Sequence, residues 1–125
     1  MIDIQTALLV DCNDFDDFIN HRLLQSHGVS HIISFHNVDS ALEYLQGTKV
    51  IYQIIIVDMD TADVNGQEFI ERFFNLELEK IQGKIYTLSS SLNCTLNLKS
   101  ETHTVQTLQK PLTIEQLTGR TESQR

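Results

Sequence analysis

The sequence predicts a three-layer α/β domain in which five parallel strands are covered by helices on both faces. Short apolar runs rich in β-branched residues alternate along the chain with longer stretches of helical period. The runs are apolar almost throughout, which is typical of strands buried on both faces. Strands that alternate with helices form right-handed βαβ units, and these give a parallel sheet.

The first strand and the first helix come from the N-terminal quarter of the chain. Residues 6–10 (TALLV) are predicted to form a buried strand that ends abruptly at Asp11. Gly28 stands where the C-terminal cap of the following helix is expected. That helix covers residues 14–26, where apolar side chains at three- and four-residue steps predict one amphipathic stripe, made of Phe15, Phe18, Ile19, Leu23 and Leu24.

A second strand and helix follow. Residues 31–35 (HIISF) are predicted to form the strand. Asp39 or Ser40 can cap the helix at its N-terminus, and Gly47 closes it. The helix carries three apolar residues, Ala41, Leu42 and Leu45.

The central strand is predicted at residues 52–57 (YQIIIV), the most apolar segment, and it ends in Asp58. A turn at Asn65-Gly66 leads into a third helix. Its stripe consists of Phe69, Ile70, Phe73 and Phe74.

The last third of the chain supplies two more strands, at 85–88 and 105–108, and a short helix at 113–117. Residues 92–103 are predicted to form the fourth helix, although their apolar stripe is thin. The whole is a flavodoxin-like doubly wound (βα)5 arrangement, with one domain over residues 1–118 and a polar tail at 119–125.

Composition excludes several classes of function. The 125 residues carry a net charge of −8, which disfavours binding to nucleic acid or to an anionic membrane surface. The longest apolar runs are too short to span a bilayer, and the first residues do not resemble a signal peptide. Two cysteines without a CxxC motif argue against a disulfide framework or zinc site, so a cytoplasmic location is expected.

Polar residues of complementary kinds stand at four predicted strand ends, namely Asp11, Asp58, Ser89 and Lys110. In a doubly wound sheet, ligands bind at the carboxyl ends of the strands. A carboxylate such as that of Asp58 can attack a phosphoryl group, and carboxylates hold a hard divalent cation. The hydroxyl of Ser89 and the ammonium of Lys110 can each bind a phosphoryl oxygen. The four residues therefore predict phosphoryl transfer.

The stretches around these residues resemble the receiver domains of response regulators. VDCNDFDDFINHRLL is similar to the family's first strand, acidic pocket and first helix, and IIIVDMDTADVNG to its phosphoacceptor strand and loop. TLSSSLN looks like its switch strand, and LQKPLT like its lysine-proline turn. The resemblance covers about residues 6–118 and is strongest to chemotaxis-type, single-domain receivers of the Bacteroidetes type.

The resemblance implies a role for each residue. Asp58 matches the phosphorylated aspartate, and Asp11 matches the first metal-binding acid. Asp60 falls where the family binds Mg²⁺ through a backbone carbonyl. Ser89 matches the switch hydroxyl, and Lys110 matches the lysine beside the phosphate, which implies a cis peptide between Lys110 and Pro111.

Two residues depart from the family pattern. Cys12 replaces the second metal-binding acid, and a thiol is a poor ligand for Mg²⁺, so weak binding is expected. Asn13 or Asp14 could replace Cys12 as the second metal ligand only if the loop bends. Thr107 replaces the usual switch aromatic. The acidic run of Asp14, Asp16 and Asp17 is predicted to be the solvated first turn of a helix, favoured by its dipole, and not a second metal site.

The predicted function is that of a stand-alone receiver in a two-component phosphorelay, which takes phosphate from a histidine kinase or a histidine phosphotransfer protein. It is not an enzyme, apart from slow autodephosphorylation. The chain ends soon after its last helix, so signalling is expected to proceed by protein–protein contact. By resemblance, the docking face consists of the first helix and the loop after the fifth strand.

Two alternatives remain. Cys12 and Thr107 favour a pseudo-receiver, a binding module that works without phosphorylation. Asp58-Met59-Asp60 is also similar to the DxD signature of haloacid-dehalogenase-type phosphatases. That signature requires a threonine where this chain has Ala62, and the motif lies too far along the chain to leave room for that fold.

Overall fold

A computed structural model describes residues 4–59, 66–75, 81–90 and 104–118 of the chain. These residues form five strands and four helices. The predicted fourth helix at 92–103, the tail at 119–125, and Asp60, Ala62 and Cys94 lie outside the described residues. The elements in chain order are β1 (Thr6–Val10), α1 (Asp14–Ser26), β2 (His31–Phe35), α2 (Val38–Gly47), β3 (Tyr52–Asp58), α3 (Gly66–Asn75), β4 (Ile81–Ser89), β5 (Thr104–Gln109) and α4 (Ile114–Thr118).

The five strands form one sheet in the order β2-β1-β3-β4-β5, and every neighbouring pair is parallel. This is the flavodoxin-like strand order, so the predicted fold class is confirmed. The order along the sheet reverses between β1 and β3, which leaves a crevice at their carboxyl ends. The most apolar strand, β3, lies at the centre of the sheet, where both of its faces are covered.

Alternate residues of the strands build two cores on opposite faces of the sheet. One core packs β1, β3 and β4 against α2 and α3, and the other packs the same strands and β5 against α1 and α4. The partition follows from the two-residue period of a strand, which sends successive side chains to opposite faces. The α2/α3 core is centred on Leu8, Ile55, Phe69 and Phe73, and the α1/α4 core on Leu9, Leu24, Ile56 and Tyr86.

Asparagines begin two of the helices. The side chain of Asn13 accepts a hydrogen bond from Asp16 N, and that of Asn37 accepts one from Ser40 N. The prediction that Asp39 or Ser40 caps α2 is therefore wrong, because Asn37 holds the first turn and these residues lie inside it. Gly28 follows α1 with a φ of 99°, which favours glycine and agrees with the predicted cap.

The ends of the later elements differ from their predicted positions. β4 begins at Ile81 and not at 85, and β5 extends by one residue at each end, over Thr104–Gln109. Polar residues extend these strands, since Lys84 pairs with Thr104 and Ser89 with Gln109. Apolar periodicity does not detect such residues, because their backbone pairing does not depend on burial. At the end of α2, Gly47 is the last helical residue and Thr48 is the C-cap.

The predicted apolar stripe of α1 is wrong in part, because Leu24 is buried and Leu23 packs against the α1/α4 core whereas its other three residues are exposed. Phe15, Phe18 and Ile19 have 70%, 60% and 45% of their surface exposed. The buried residues of α1 are Asn20 and Leu24, one turn apart. Phe18 lies beneath the guanidinium of Arg22 at 5.9 Å from the ring centroid. We call Phe15, Phe18 and Ile19 the α1 apolar surface.

Among the residues described, none of the helices combines the length and the apolar character that a bilayer crossing requires.

Candidate functional site

The four polar residues predicted at strand ends lie along one edge of the sheet. Asp11 follows β1 directly, Asp58 and Ser89 are the last residues of β3 and β4, and Lys110 follows β5 directly. Because the strands are parallel and paired in register, their carboxyl ends meet at this edge. Asp11, Asp58 and Ser89 are all buried, with at most 3% of their surface exposed. The topology thus brings the predicted residues together, as expected of a doubly wound sheet.

The ammonium of Lys110 binds two carboxylates. Its Nζ donates to Asp58 Oδ2 at 2.8 Å and to Asp16 Oδ2 at 3.0 Å. The side chain of Asp58 is 1% exposed and that of Lys110 is 20% exposed, so this ion pair is shielded from water. A shielded charge–charge hydrogen bond is stronger than an exposed one, because less solvent screens it.

Asp11 completes a group of three carboxylates. Its Oδ1 accepts a hydrogen bond from Asn13 N at 2.8 Å. Burial raises the pKa of Asp11 to about 7, and the charge of Asp58 adds to the rise, whereas the Asn13 N–H opposes it. Oxygen atoms of Asp11, Asp16 and Asp58 all lie within 4.8 Å of one another. One ammonium therefore faces three carboxylates.

This donor set fits a hard divalent cation. Mg²⁺ prefers carboxylate and water oxygen, and the three carboxylates supply oxygen from three different elements. Their combined charge exceeds that of Lys110, so an additional cation is electrostatically favoured.

Asp16 belongs to the cluster although the sequence did not predict it there. The prediction that the acidic run is merely a solvated helix turn is wrong for this residue, because it contacts Lys110 and its side chain is 35% exposed. Asp16, Asn20 and Leu24 recur at four-residue steps, and this spacing was a signal that they share the inward side of α1. Asn13 instead caps the helix, and Asp14 is 88% exposed beside His36, so neither substitutes for the missing acid.

The remaining predicted residues surround the cluster. Ser89 O accepts a hydrogen bond from Lys110 N at 2.8 Å, which ties β4 to the lysine turn. The peptide between Lys110 and Pro111 is cis, as the resemblance implied. Cys12 is a free, half-buried thiol that packs against the α2/α3 core. Thr107 is exposed, and its hydroxyl accepts a hydrogen bond from that of Thr87 at 3.3 Å.

No protein-family model and no curated protein matches the sequence. Among solved structures, 52 chains match it. The chain is similar to a two-component response regulator from Cytophaga hutchinsonii, with 26% identity and a TM-score of 0.71, over 93% of this chain and 92% of that one.

Of two further similar structures, one contains a metal ion and the other a partner protein. One is the receiver domain of a sensor histidine kinase from Pseudomonas aeruginosa, with a magnesium ion coordinated in its active site cleft; it is 18% identical, with a TM-score of 0.68 and 92% coverage of each chain. The other contains the Saccharomyces cerevisiae histidine phosphotransfer protein Ypd1 and the receiver domain of the response regulator Ssk1. It is 15% identical, with a TM-score of 0.69, over 94% of this chain and 87% of that one.

The structural similarities cover about nine-tenths of the chain, and the strand order of the described residues agrees with them. The chain therefore has the three-layer fold of the response-regulator receiver domains, as the sequence motifs predicted.

Proposed function

We propose that the protein is a receiver of a two-component phosphorelay and that Asp58 accepts the phosphoryl group. One observation carries the proposal: a buried carboxylate, at the carboxyl edge of a receiver-type sheet, lies 2.8 Å from the ammonium of Lys110. A buried carboxylate held by a lysine is a preorganised nucleophile, since its partner can also stabilise the charge that develops on the phosphoryl oxygens.

The transfer step needs little beyond positioning. An oxygen of Asp58 attacks phosphorus while the bond between phosphorus and the donor's histidine nitrogen breaks, and the electron pair stays on the imidazole. A mixed anhydride forms, and Lys110 follows the negative charge from the carboxylate to a phosphoryl oxygen. Ser89, at the adjacent strand end, is proposed to donate a hydrogen bond from its hydroxyl to another phosphoryl oxygen.

Asp11 and Asp58 would hold a divalent cation such as Mg²⁺ at this edge, with Asp60 proposed to add its backbone carbonyl. The cation would supply charge neutralisation during phosphoryl transfer. The magnesium ion in the Pseudomonas receiver supports this assignment by analogy of fold. Cys12 contributes no ligand, because its soft thiol is a poor match for Mg²⁺.

The proposed donor is a histidine kinase or a histidine phosphotransfer protein, and it is proposed to dock on the α1 apolar surface. Phe15 and Phe18 are the most exposed large apolar residues described, and α1 begins beside the acidic cluster. Exposed aromatic residues next to a reactive group are typical of contact surfaces. The yeast complex of a receiver with Ypd1 supports a partner of this class.

The α1 apolar surface gives a prediction that separates docking from chemistry. Replacing both Phe15 and Phe18 with alanine will slow transfer from a phosphorylated histidine phosphotransfer protein by about tenfold, or about 1.4 kcal/mol. Phosphorylation by a small donor such as acetyl phosphate will not change. Ile51→Ala, which alters an exposed residue before β3, is the matched control. An equal loss with both donors would contradict the docking role.

Incubation with acetyl phosphate and Mg²⁺, followed by intact mass measurement, tests the proposal. We expect a gain of one phosphoryl group in the wild type and none in Asp58→Asn. Asp39→Asn, which removes an exposed carboxylate, will behave like the wild type. Persistence of the mass gain in Asp58→Asn would show that another residue is modified.

A second candidate is a binding module that acts without phosphorylation. It is favoured by the half-buried Cys12 at an acidic position and by the exposed Thr107 at the position of the switch aromatic. The two candidates differ in the mass experiment, because the binding module gains no phosphoryl group at saturating donor. It is also expected to bind Mg²⁺ much more weakly than its Cys12→Asp variant, whereas an active receiver binds it comparably.

A further inference from the structure

The acidic cluster includes a carboxylate that the sequence pattern did not place there. Asp11 and Asp58 come from strand ends, whereas Asp16 comes from the first turn of α1. Cys12 lies on the other side of the β1 terminus, where it packs against the α2/α3 core. Compared with the receiver pattern, the cluster therefore lacks an acid at residue 12, on the side toward α2 and α3. It has an additional acid, Asp16, on the side toward α1.

We propose that Asp16 replaces the acidic ligand that Cys12 cannot supply, and that it completes a three-carboxylate site for Mg²⁺ with Asp11 and Asp58. The inference rests on the proposed function, because the ion is the one that the phosphoacceptor site uses. It assigns to α1 a metal-binding role, carried by a residue outside the strand-end motifs.

The distances between the carboxylates suit this role. At metal–oxygen bonds of about 2.1 Å, oxygens of an octahedral ion lie about 3 Å apart when adjacent and about 4.2 Å apart when opposite. The oxygens of Asp11, Asp16 and Asp58 lie within 4.8 Å of one another. This span is close to the separation that oxygens bound to one ion require.

Lys110 marks the place where positive charge is stabilised. Its Nζ binds Asp16 and Asp58 together, so the protein's own cation now bridges two of the three carboxylates. When an ion binds, Asp16 exchanges its bond with Lys110 for a bond with the metal. Lys110 then remains hydrogen-bonded to Asp58, or to the phosphoryl group that is attached to it.

The backbone of Asp16 is already fixed in place. Its N–H donates to the Asn13 side chain, so the residue occupies the N3 position of α1. The positive end of the helix dipole favours a carboxylate in this turn. Asp16 therefore loses little conformational freedom when it binds the ion.

Calorimetric titration of the metal-free protein with Mg²⁺ tests the proposal. Asp16→Asn is expected to weaken affinity by at least about tenfold, since even the loss of an outer-shell partner costs roughly 10–100-fold. Asp14→Asn is the matched control, because it removes the same charge from the same helical turn at an 88% exposed site. Its affinity is expected to stay within about twofold of the wild type, since an exposed charge is screened.

A rescue variant distinguishes ligation from a merely structural role. Cys12→Asp is expected to raise the Mg²⁺ affinity strongly in Asp16→Asn but little in the wild type, because Asp16 already supplies the third carboxylate there. If Asp16 only held Lys110, Cys12→Asp would raise the affinity by the same factor in both backgrounds. Unaltered far-UV circular dichroism and unfolding of the metal-free variants will show that each remains folded.

Wild-type affinity in Asp16→Asn would overturn the proposal, as would a wild type that does not bind millimolar Mg²⁺. Both outcomes are distinct from failure of the proposed function. If the wild type gains a phosphoryl group while Asp16→Asn binds Mg²⁺ normally, only the role of Asp16 is wrong. If Asp16-dependent Mg²⁺ binding occurs without phosphoryl gain, the metal site stands and the phosphoacceptor function fails.

Discussion

Lys110→Met will lower the free energy of unfolding of the metal-free protein by about 3 kcal/mol at neutral pH. Removing one member of a shielded ion pair leaves the other charge uncompensated, and such losses are typically about 3–5 kcal/mol for fully buried pairs. The side chain of Lys110 is 20% exposed, which places the expected value at the lower end. Asp58 and Asp16 would then face each other without the ammonium that joins them. Urea unfolding in the presence of a chelator measures the effect.

Two comparisons make this prediction specific. Lys49→Met removes an exposed lysine and will change stability by no more than about 0.5 kcal/mol. Adding Asp58→Asn to Lys110→Met will recover much of the loss, because the uncompensated buried charge is removed as well. Similar losses in Lys49→Met and Lys110→Met would mean that the ion pair has no special role in stability.

Ile55→Ala will destabilise the domain by about 2–5 kcal/mol, the usual cost of truncating a buried isoleucine. Ile55 is fully buried in β3, where it pairs with Leu8 of β1 and Ile85 of β4. These neighbours belong to a sheet covered on both faces and cannot collapse into the space left by the missing methyl groups. A cavity term therefore adds to the loss of apolar burial.

The residue that precedes the same strand provides a matched control. Ile51, directly before β3, is 42% exposed, so Ile51→Ala removes the same atoms from a partly solvated site. We expect a loss below about 1 kcal/mol, measured by urea unfolding followed by circular dichroism. Equal losses at the two positions would contradict the central placement of β3.

The edge of the sheet was predictable because strand ends are visible in the sequence. A buried strand is an apolar run, and the first polar residue after it marks its carboxyl end, as Asp11 and Asp58 do. Once the strands are parallel, these ends must meet. The position of Ser89 followed from the same reasoning, whereas Lys110, one residue beyond Gln109, was identified with the help of the lysine-proline turn.

The orientation of α1 was not predictable in this way. Its three- and four-residue spacing allows two sides of the helix to look apolar, and one of them contains Phe15, Phe18 and Ile19. The structure buries Asn20 and Leu24, so that of the predicted stripe only Leu23 and Leu24 pack against the core. The residues whose burial was wrongly predicted are therefore those of the α1 apolar surface, which lies beside the acidic cluster and is the proposed binding surface.

The role of Asp16 was missed for the same reason. Its inward position depends on where the helix starts and on how α1 is rotated, and neither is encoded in the composition of the acidic run. The cap of α2 shows a similar effect, because Asn37, Asp39 and Ser40 are all good capping residues and only tertiary packing chooses among them.

The most direct test of the account is to trap the acyl phosphate chemically at its site. The protein is treated with acetyl phosphate and Mg²⁺, then with borohydride, which reduces an acyl phosphate to an alcohol, and its peptides are sequenced by mass spectrometry. Asp58 alone is expected to be reduced, and only after phosphodonor treatment. Reduction at a different carboxylate, or none at saturating donor, would contradict it.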